Sequence, residues 1–320
     1  MKQWVNEFID KLAVDSWYLV KDKHLGLGKN GKAFLAIIVG DKTGNIDARI
    51  WDRVDEVSSQ FEIGDVVQIK GAIQVYQNRK QLVVHRLERI QPEVFPAEDL
   101  LPASKVNAQD LFVELHNIIK SVENEHIRQL LLGTIEDPEI KPLILKAPAA
   151  KSIHHAWEGG LLEHVVSILK VMNFIASHYQ SLNRDLLIFG AIYHDIGKIW
   201  ELSFDKNIGY TDRGRLIGHL YMGAELVEKK AAKILGFPEE LKDILKHIVL
   251  SHHGKLEYGS PKRPKFLEAL VVAMIDDLDS KISTVQTILE NERVNSVDKW
   301  SRYVDLFDRY FLLENLKTKY

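Results

Sequence analysis

The apolar residues of this chain change their period part-way along it. Up to about residue 90 they alternate with polar residues, and from Asn107 onward they recur every three or four positions. Alternation is the signature of a strand with one buried face and the 3.6 period that of a helix with one buried stripe. No single architecture serves both patterns, so the chain divides into a β unit followed by an α unit. Pro92, Pro96 and Pro102 fall in residues 91–104, and each removes a donor and biases its predecessor away from helix. The boundary belongs there. With 320 residues, both parts are long enough to bury cores of their own, at about 100 to 200 residues per domain.

In the first part, residues 17–40 alternate around Lys29-Asn30-Gly31-Lys32, an Asn-Gly pair of the kind that closes a hairpin. A second turn, Asp41-Lys42-Thr43-Gly44, leads into a strand over 45–52. A short helix over 53–61 follows, then strands at about 65–76 and 80–90. Three strands, a helix and two strands in that order resemble the five-stranded OB-fold barrel, with another small Greek-key barrel as the alternative. The OB resemblance implies a surface for single-stranded nucleic acid.

The charge balance is consistent with a local rather than a global interface. The whole chain carries a formal charge of -3, but its first 92 residues hold 14 Lys plus Arg against 12 Asp plus Glu. Lys70, Tyr76, Arg79, Lys80, Arg86 and Arg89 gather around the last hairpin. Basic grooves with aromatic platforms hold single strands, which makes Tyr76, Arg79 and Lys80 candidates for substrate binding. Phe34 and Trp51 could stack as well, against the plainer reading of core packing.

Helical periodicity covers 108–123, 125–132, 159–178, 184–196, 215–235, 238–251 and 265–289. Several of these apolar faces are interrupted by one polar group. His164 shares a stripe with Leu161, Ile168 and Val171, and His194 with Leu187, Gly190 and Ala191, followed at once by Asp195. His219 lies with Leu216, Gly223 and Leu226. The apolar helix around Leu245 and Val249 ends in His252-His253, and Asp276 extends Ala269, Val272 and Ala273. One such histidine is usually an ordinary core residue. Seven groups are different, because buried carboxylates and crowded imidazoles are tolerated together chiefly when a cation sits among them. There is no cysteine, so any metal ligands are His or carboxylate, and disulfides and thiol nucleophiles are excluded.

The order Gly159-Gly160-Leu161-Leu162-Glu163-His164, Tyr193-His194-Asp195-Ile196-Gly197-Lys198, Gly218-His219, Ser251-His252-His253-Gly254 and Ile275-Asp276-Asp277-Leu278-Asp279 resembles the HD-domain metal-dependent phosphohydrolases. With the barrel in front, the chain resembles the YhaM-type 3′→5′ exoribonucleases from its first strands to beyond Asp276. The resemblance implies two divalent ions. His164, His194, Asp195 and Asp276 would hold one, and Asp195, His219, His252 and His253 the other, with Asp195 bridging. Asp277 and Asp279 compete with Asp276 by sequence alone. Some binuclear members carry a Glu one turn before the first His, where this chain has Gly160. A donor set rich in imidazole favours manganese first, with Co, Fe, Ni, Zn or Mg as alternatives.

Two cations acidify a water between them and neutralise phosphate oxygens, and Asp195 and Lys198 are the catalytic candidates. Lys198 would meet a non-bridging oxygen, or simply complement its helix dipole. His154 and His155, just before the His164 helix, and Arg213 and Arg215, in a Gly-punctuated loop before His219, are candidates for the substrate side. Residues 296–317 read as an amphipathic helix with Trp300, Val304, Phe307 and Phe311 on one stripe, packing on its own domain or on another subunit as a homo-oligomer contact.

The fold class expected is therefore multidomain, an all-β OB-fold barrel followed by an all-α HD-domain helical bundle. The expected plan is barrel 1–92, linker 93–105, helical connector 106–149, HD domain 150–292 and C-terminal amphipathic helix 293–320. No apolar run approaches the ~18 residues of a membrane span, and the early charges Lys2, Glu7, Asp10 and Lys11 leave no signal-like stretch, so the expected location is cytoplasmic with no membrane partner. The activity implied is a metal-dependent 3′→5′ exonuclease acting on single-stranded RNA, or also DNA. The alternatives are an HD-type nucleotidase or cyclic-nucleotide phosphodiesterase, and a nucleic-acid-binding protein with an inactive helical scaffold.

Overall fold

The computed structural model describes residues 2–28, 31–91, 96, 99–100, 107–150, 157–204, 208–314 and 316. It divides into two compact units, one made of residues 1–103 and 285–320 and the other of 104–284.

The first unit is a closed five-stranded barrel. Its strands are β1 (Ala13–Leu27), β2 (Ala33–Asp41), β3 (Gly44–Ile50), β4 (Val66–Tyr76) and β5 (Arg79–Ile90), with the short helix α1 (Val54–Ser58) between β3 and β4. Their order around the barrel is β1-β2-β3-β5-β4, and only β3 and β5 run parallel. This is the wiring expected of an OB barrel. Alternate residues point inward, so Tyr18, Leu35, Ile37, Ile46, Val67, Ile69, Ile73 and Leu82 make a closed apolar core. Gln77 and Asn78 have φ of 48° and 61°, as a two-residue hairpin turn requires. The first hairpin pairs up to Leu27 and Ala33, while its tip residues Lys29 and Asn30 lie outside the described residues.

Residues 296–313 depart from expectation. They form no amphipathic α-helix but a loose antiparallel hairpin, with bridges Trp300 to Leu312 and Val304 to Arg309 around the 3-10 turn Asp305–Phe307. The spacing of Trp300, Val304, Phe307 and Phe311 fits a helix, but the segment also carries Val297, Tyr303 and Tyr310, and aromatic and β-branched residues favour extended pairing. The segment belongs with the barrel, where Val297 N–H donates to Asn78 O at 2.9 Å and Ser296 bridges to Arg79. Nor does the HD part run unbroken to 292, since residues from 285 onward group with the barrel.

The second unit is helical. Its helices are α2 (Ala108–Lys120), α3 (Glu125–Ile135), α4 (Lys141–Lys146), α5 (Gly160–His178), α6 (Arg184–Tyr193), α7 (Lys198–Glu201), α8 (Asp212–Ile217), α9 (His219–Ala231), α10 (Glu239–Ser251) and α11 (Leu267–Asn295), the last of which ends in the first unit. One core joins α2 to α6 and α9 to α11, so residues 107–149 are part of this bundle rather than a separate connector. A minimal hairpin of β6 (Leu202–Ser203) and β7 (Gly209–Tyr210) qualifies the all-α expectation.

The stretch 215–235 is not one helix, because Gly218 sits at φ 77° and ψ 156°, which breaks it into α8 and α9. Leu216 therefore leaves the His219 stripe and is 82% exposed. Helix α5 is also apolar and long enough, by composition, to cross a membrane. It is nonetheless a core helix, with Leu161, Leu162, Val166, Ile168, Leu169 and Met172 buried in the bundle.

Candidate metal centre

The centre is built from the ends and inner faces of α5, α6, α9, α10 and α11. His164 lies in the second turn of α5, His194 caps the C-terminus of α6, and Asp195 follows it. His219 is the first residue of α9, His252 caps α10 with His253 next, and Asp276 faces inward from α11. These seven residues form two groups, His164, His194, Asp195 and Asp276, and His219, His252 and His253, in each of which the donor atoms lie within 4.8 Å of one another.

Asp195 stands between the groups. Its Oδ2 is 3.4 Å from His194 Nε2, while its Oδ1 is 3.5 Å from His219 Nε2 and 3.6 Å from His252 Nε2. On the other side, Asp276 Oδ1 is 3.3 Å from His164 Nε2 and 3.6 Å from His194 Nε2. Asp195 Oδ1, His219 Nε2 and His252 Nε2 are all buried, and none has a hydrogen-bond partner among the described residues. Three orphaned polar atoms converging on one point would each cost free energy unless something coordinated them. The donor set fits a divalent cation.

Every imidazole is held from behind. His164 Nδ1 is 2.8 Å from Asp279 Oδ2, and Ser167 Oγ donates to Asp279 Oδ1 at 2.6 Å. His219 Nδ1 is 3.0 Å from Glu201 Oε1, which also accepts the His219 backbone N–H. His194 Nδ1 faces the Gly190 and Ala191 carbonyls at 3.1 and 3.0 Å, His252 Nδ1 the Val249 carbonyl at 2.8 Å, and His253 Nδ1 the Tyr258 carbonyl at 2.9 Å. An acceptor at Nδ1 keeps the proton there and leaves the Nε2 lone pair for a metal.

The electrostatics follow from burial and proximity. Burial pulls the His194 imidazole down, but Asp195 and Asp276 outweigh it and raise it to about 10. His164 is raised against burial by Asp276 and Asp279. Burial pushes Asp195 up, yet Lys198 and His194 hold it well below the usual carboxylate range, and Asp276 is depressed against its own burial by His194 and His164. Burial lowers His252 and His253. The carboxylates thus draw positive charge to one side of the site, while the His252-His253 side stays neutral and ready to ligate. Lys198 donates to Asp195 Oδ2 at 2.6 Å, beside the bridging group.

A model of the HD domain matches residues 161–281, which span all seven donors, and a model of an OB-fold nucleic acid binding domain matches residues 19–90. The 3′-5′ exoribonuclease YhaM of Geobacillus sp. (strain WCH70) is 35% identical over 310 residues, covering 94% of this chain and 94% of that protein. Its namesake from Listeria monocytogenes serotype 4b (strain F2365) is 33% identical over 303 residues, covering 92% of this chain and 96% of that one. The chain belongs to the YhaM family. Among solved structures, a domain of replication protein A from Methanococcus maripaludis matches 28% of this chain and 97% of its own at 16% identity, with a TM-score of 0.25.

Of the competing acids, Asp276 is the one that joins Asp195 in the group able to hold a metal, while Asp279 stands behind His164 at Nδ1, a difference that spacing alone could not reveal. Glu201 was missed, because its role depends on the α7 turn folding back onto the start of α9. Arg79 does not offer a free cation to a strand: it pairs with Glu292 at 2.5 and 2.8 Å. Tyr76 is exposed and Lys80 half-buried on the same hairpin. Arg213 and Arg215 are exposed, Arg213 pairing with Glu225 at 3.1 Å. His154 and His155 lie outside the described residues.

Proposed function

We propose that the chain is a metal-dependent 3′-5′ exonuclease of single-stranded RNA, extending to DNA, that releases nucleoside 5′-monophosphates. The observation that carries this reading is the placement of Asp195, whose two carboxylate oxygens face two separate groups of imidazoles. When bound, a pair of divalent ions supplies a nucleophile at neutral pH and charge neutralisation for an in-line displacement at phosphorus. Asp195 would hold both ions, His164, His194 and Asp276 one, and His219, His252 and His253 the other. Lys198 stays protonated beside Asp195, raised by that carboxylate against its own burial, and puts a donor next to the incoming phosphate.

Charge supports two ions over one. With the imidazoles neutral, as ligation requires, Asp195, Asp276, Asp279 and Glu201 bring four negative charges and Lys198 one positive, so the centre stands three charges negative before the ions are counted. One divalent cation would leave it repelling a phosphodiester; two make it attractive. Five imidazoles favour Mn, Co, Fe, Ni or Zn over Mg, with manganese the first choice. The polymer reading is supported by the OB-fold match and by relatives named as exoribonucleases. A cytoplasmic location is part of the same proposal.

The test incubates 5′-labelled and 3′-labelled oligoribonucleotides with the protein and Mn, with and without chelator. Shortening from the 3′ end with mononucleotide release, abolished by chelator and by Asp195→Ala, is the expected result. Internal cleavage, or turnover that survives chelation, would overturn it.

A further inference from the structure

A strand reaching the metal centre must come from its open side. His164, His194, Asp195, His219 and His252 are buried, whereas His253 and Asp276 are half-buried. Beside His253 the chain makes a short braced turn. The 3-10 turn Leu256–Tyr258 is flanked by Gly254 and Gly259 at φ of 77° and 82°. The Tyr258 carbonyl accepts the bond from His253 Nδ1, and the buried Ser260 hydroxyl lies 3.0 Å from the Leu250 carbonyl of α10 and 2.7 Å from that of Lys262. The Tyr258 ring itself is 59% exposed, with Lys255 Nζ 5.1 Å from its centre.

The same loop is basic in a chain that is acidic overall. Residues 254–266 carry Lys255, Lys262, Arg263 and Lys265 against Glu257 alone. Lys255 lies 3.7 Å from Glu257, and the other three have no carboxylate partner among the described residues. The Tyr258 ring thus stands in solvent on a turn whose backbone is held by His253 and Ser260, beside basic side chains, and an exposed ring there can stack on any base, because every base has a π-face and a tyrosine has few torsions to lose.

We propose that the Gly254–Phe266 loop is the last contact of the RNA strand before the metal centre, with Tyr258 stacking on a base near the 3′ end and Lys262, Arg263 and Lys265 meeting its phosphates. This rests on the exonuclease reading and adds the residues that grip the polymer. Stacking is indifferent to sequence, as progressive removal of successive nucleotides demands.

Three forms of the full chain test it: Tyr258→Ala, Tyr258→Phe, and a triple variant with Lys262, Arg263 and Lys265 each changed to Gln. Each is loaded with Mn and assayed on a single-stranded oligoribonucleotide. Tyr258→Ala should raise KM roughly ten-fold at nearly constant kcat, and Tyr258→Phe should restore it. The triple variant should flatten the dependence of log KM on log salt by roughly 2, at about 0.7 for each phosphate contact. Unchanged KM in Tyr258→Ala overturns the proposal. So does reduced Mn stoichiometry in that variant, since the ring would then be bracing His253, and so does a changed association state, since it would then be seated on a second copy. If the parent chain degrades no oligonucleotide, the exonuclease reading falls as well; if it does and Tyr258→Ala matches it, only this inference falls.

Discussion

Gly197 is where a single methyl group would test the metal centre most sharply. Its backbone sits at φ -64° and ψ -17°, which any residue adopts, so alanine would meet no conformational penalty there. The obstacle is His219. A Cβ at Gly197 would lie 2.8 Å from His219 Cα and 2.9 Å from its carbonyl carbon, and closer still to the carbonyl oxygen. Carbon contacts settle at about 3.5 to 4.0 Å, so the start of α9 would have to retreat by roughly 1 Å. Overpacking of this kind costs about 1 to 3 kcal/mol, or roughly 3 to 10 °C in Tm for a unit of this size. His219 rides on the displaced backbone, and a misplacement of roughly 1 Å costs about a hundred-fold in rate. Gly197→Ala should therefore lower the Tm of the chelated protein, reduce Mn occupancy by about one ion per chain measured by elemental analysis, and cut kcat on an oligoribonucleotide by about two orders of magnitude. Gly133→Ala is the control, since a Cβ there meets nothing within 4 Å. Full Mn occupancy with kcat within about two-fold of the parent would refute the reasoning.

The pH dependence of the chelated protein has a definite sign. His194 is raised from 6.5 to about 10 on folding, so its contribution to stability is complete below pH 6.5 and is lost as pH climbs toward 10. Differential scanning fluorimetry with EDTA should record a falling Tm over that interval, and Mn added at pH 9 should recover it by replacing the departing protons; a Tm that holds or rises under chelation would contradict this. Arg79→Ala strips the main partner from the buried Glu292 and should cost about 2 kcal/mol, with Arg302 as partial compensation, while KM for RNA changes little; a large KM effect without a Tm effect would return Arg79 to the substrate surface. Glu201→Gln and Asp279→Asn should each weaken Mn binding about 10-fold to 100-fold, the first at the His219 group and the second at the His164 group, as calorimetric titration with Mn would resolve; loss at the same site in both variants would contradict the assignment.

Local pattern carried the sequence reading wherever a side chain's neighbours are also its neighbours along the chain. The strands of the barrel and the buried stripes of α5, α6, α10 and α11 are of that kind, and they led to six of the seven candidate donors; His219, on α9, was reached beside Gly223 and Leu226 but with Leu216 wrongly set in its stripe. The reading failed where conformation depends on a single backbone setting or on a distant partner. Gly218 looked like one more small residue in a helix, yet its positive φ separates α8 from α9 and puts His219 at a helix start, where its N–H reaches Glu201. The aromatic spacing from Trp300 to Phe311 satisfies a helical period as well as a paired hairpin, and only contacts such as Val297 with Asn78 decide between them. Arg79 read as a free cation because Glu292 lies 213 positions away. Asp276 and Asp279, three residues apart on one helix, differ in which nitrogen of His164 each one faces, and Asp276 alone of the two also faces His194.

The two doublets, His194-Asp195 and His252-His253, share a physical origin in helix termination. A helix leaves its last carbonyls without intrahelical partners, and α6 and α10 end at Tyr193 and Ser251. The next residue in each case is a histidine whose Nδ1 turns back onto those carbonyls, of Gly190 and Ala191 in one helix and of Val249 in the other. A glycine or asparagine cap would satisfy the same carbonyls through backbone geometry and supply no ligand. With histidine, one hydrogen bond closes the helix, fixes the tautomer and points Nε2 away from the helix that carries it. Both histidines keep helical backbone angles, and the residue after each, Asp195 or His253, offers a second donor close by. Two helix ends in this way supply four of the seven candidate donors, and each buried imidazole finds an acceptor for its Nδ1 proton there, the Ala191 carbonyl beside the already bonded Gly190 one in α6 and the Val249 carbonyl in α10.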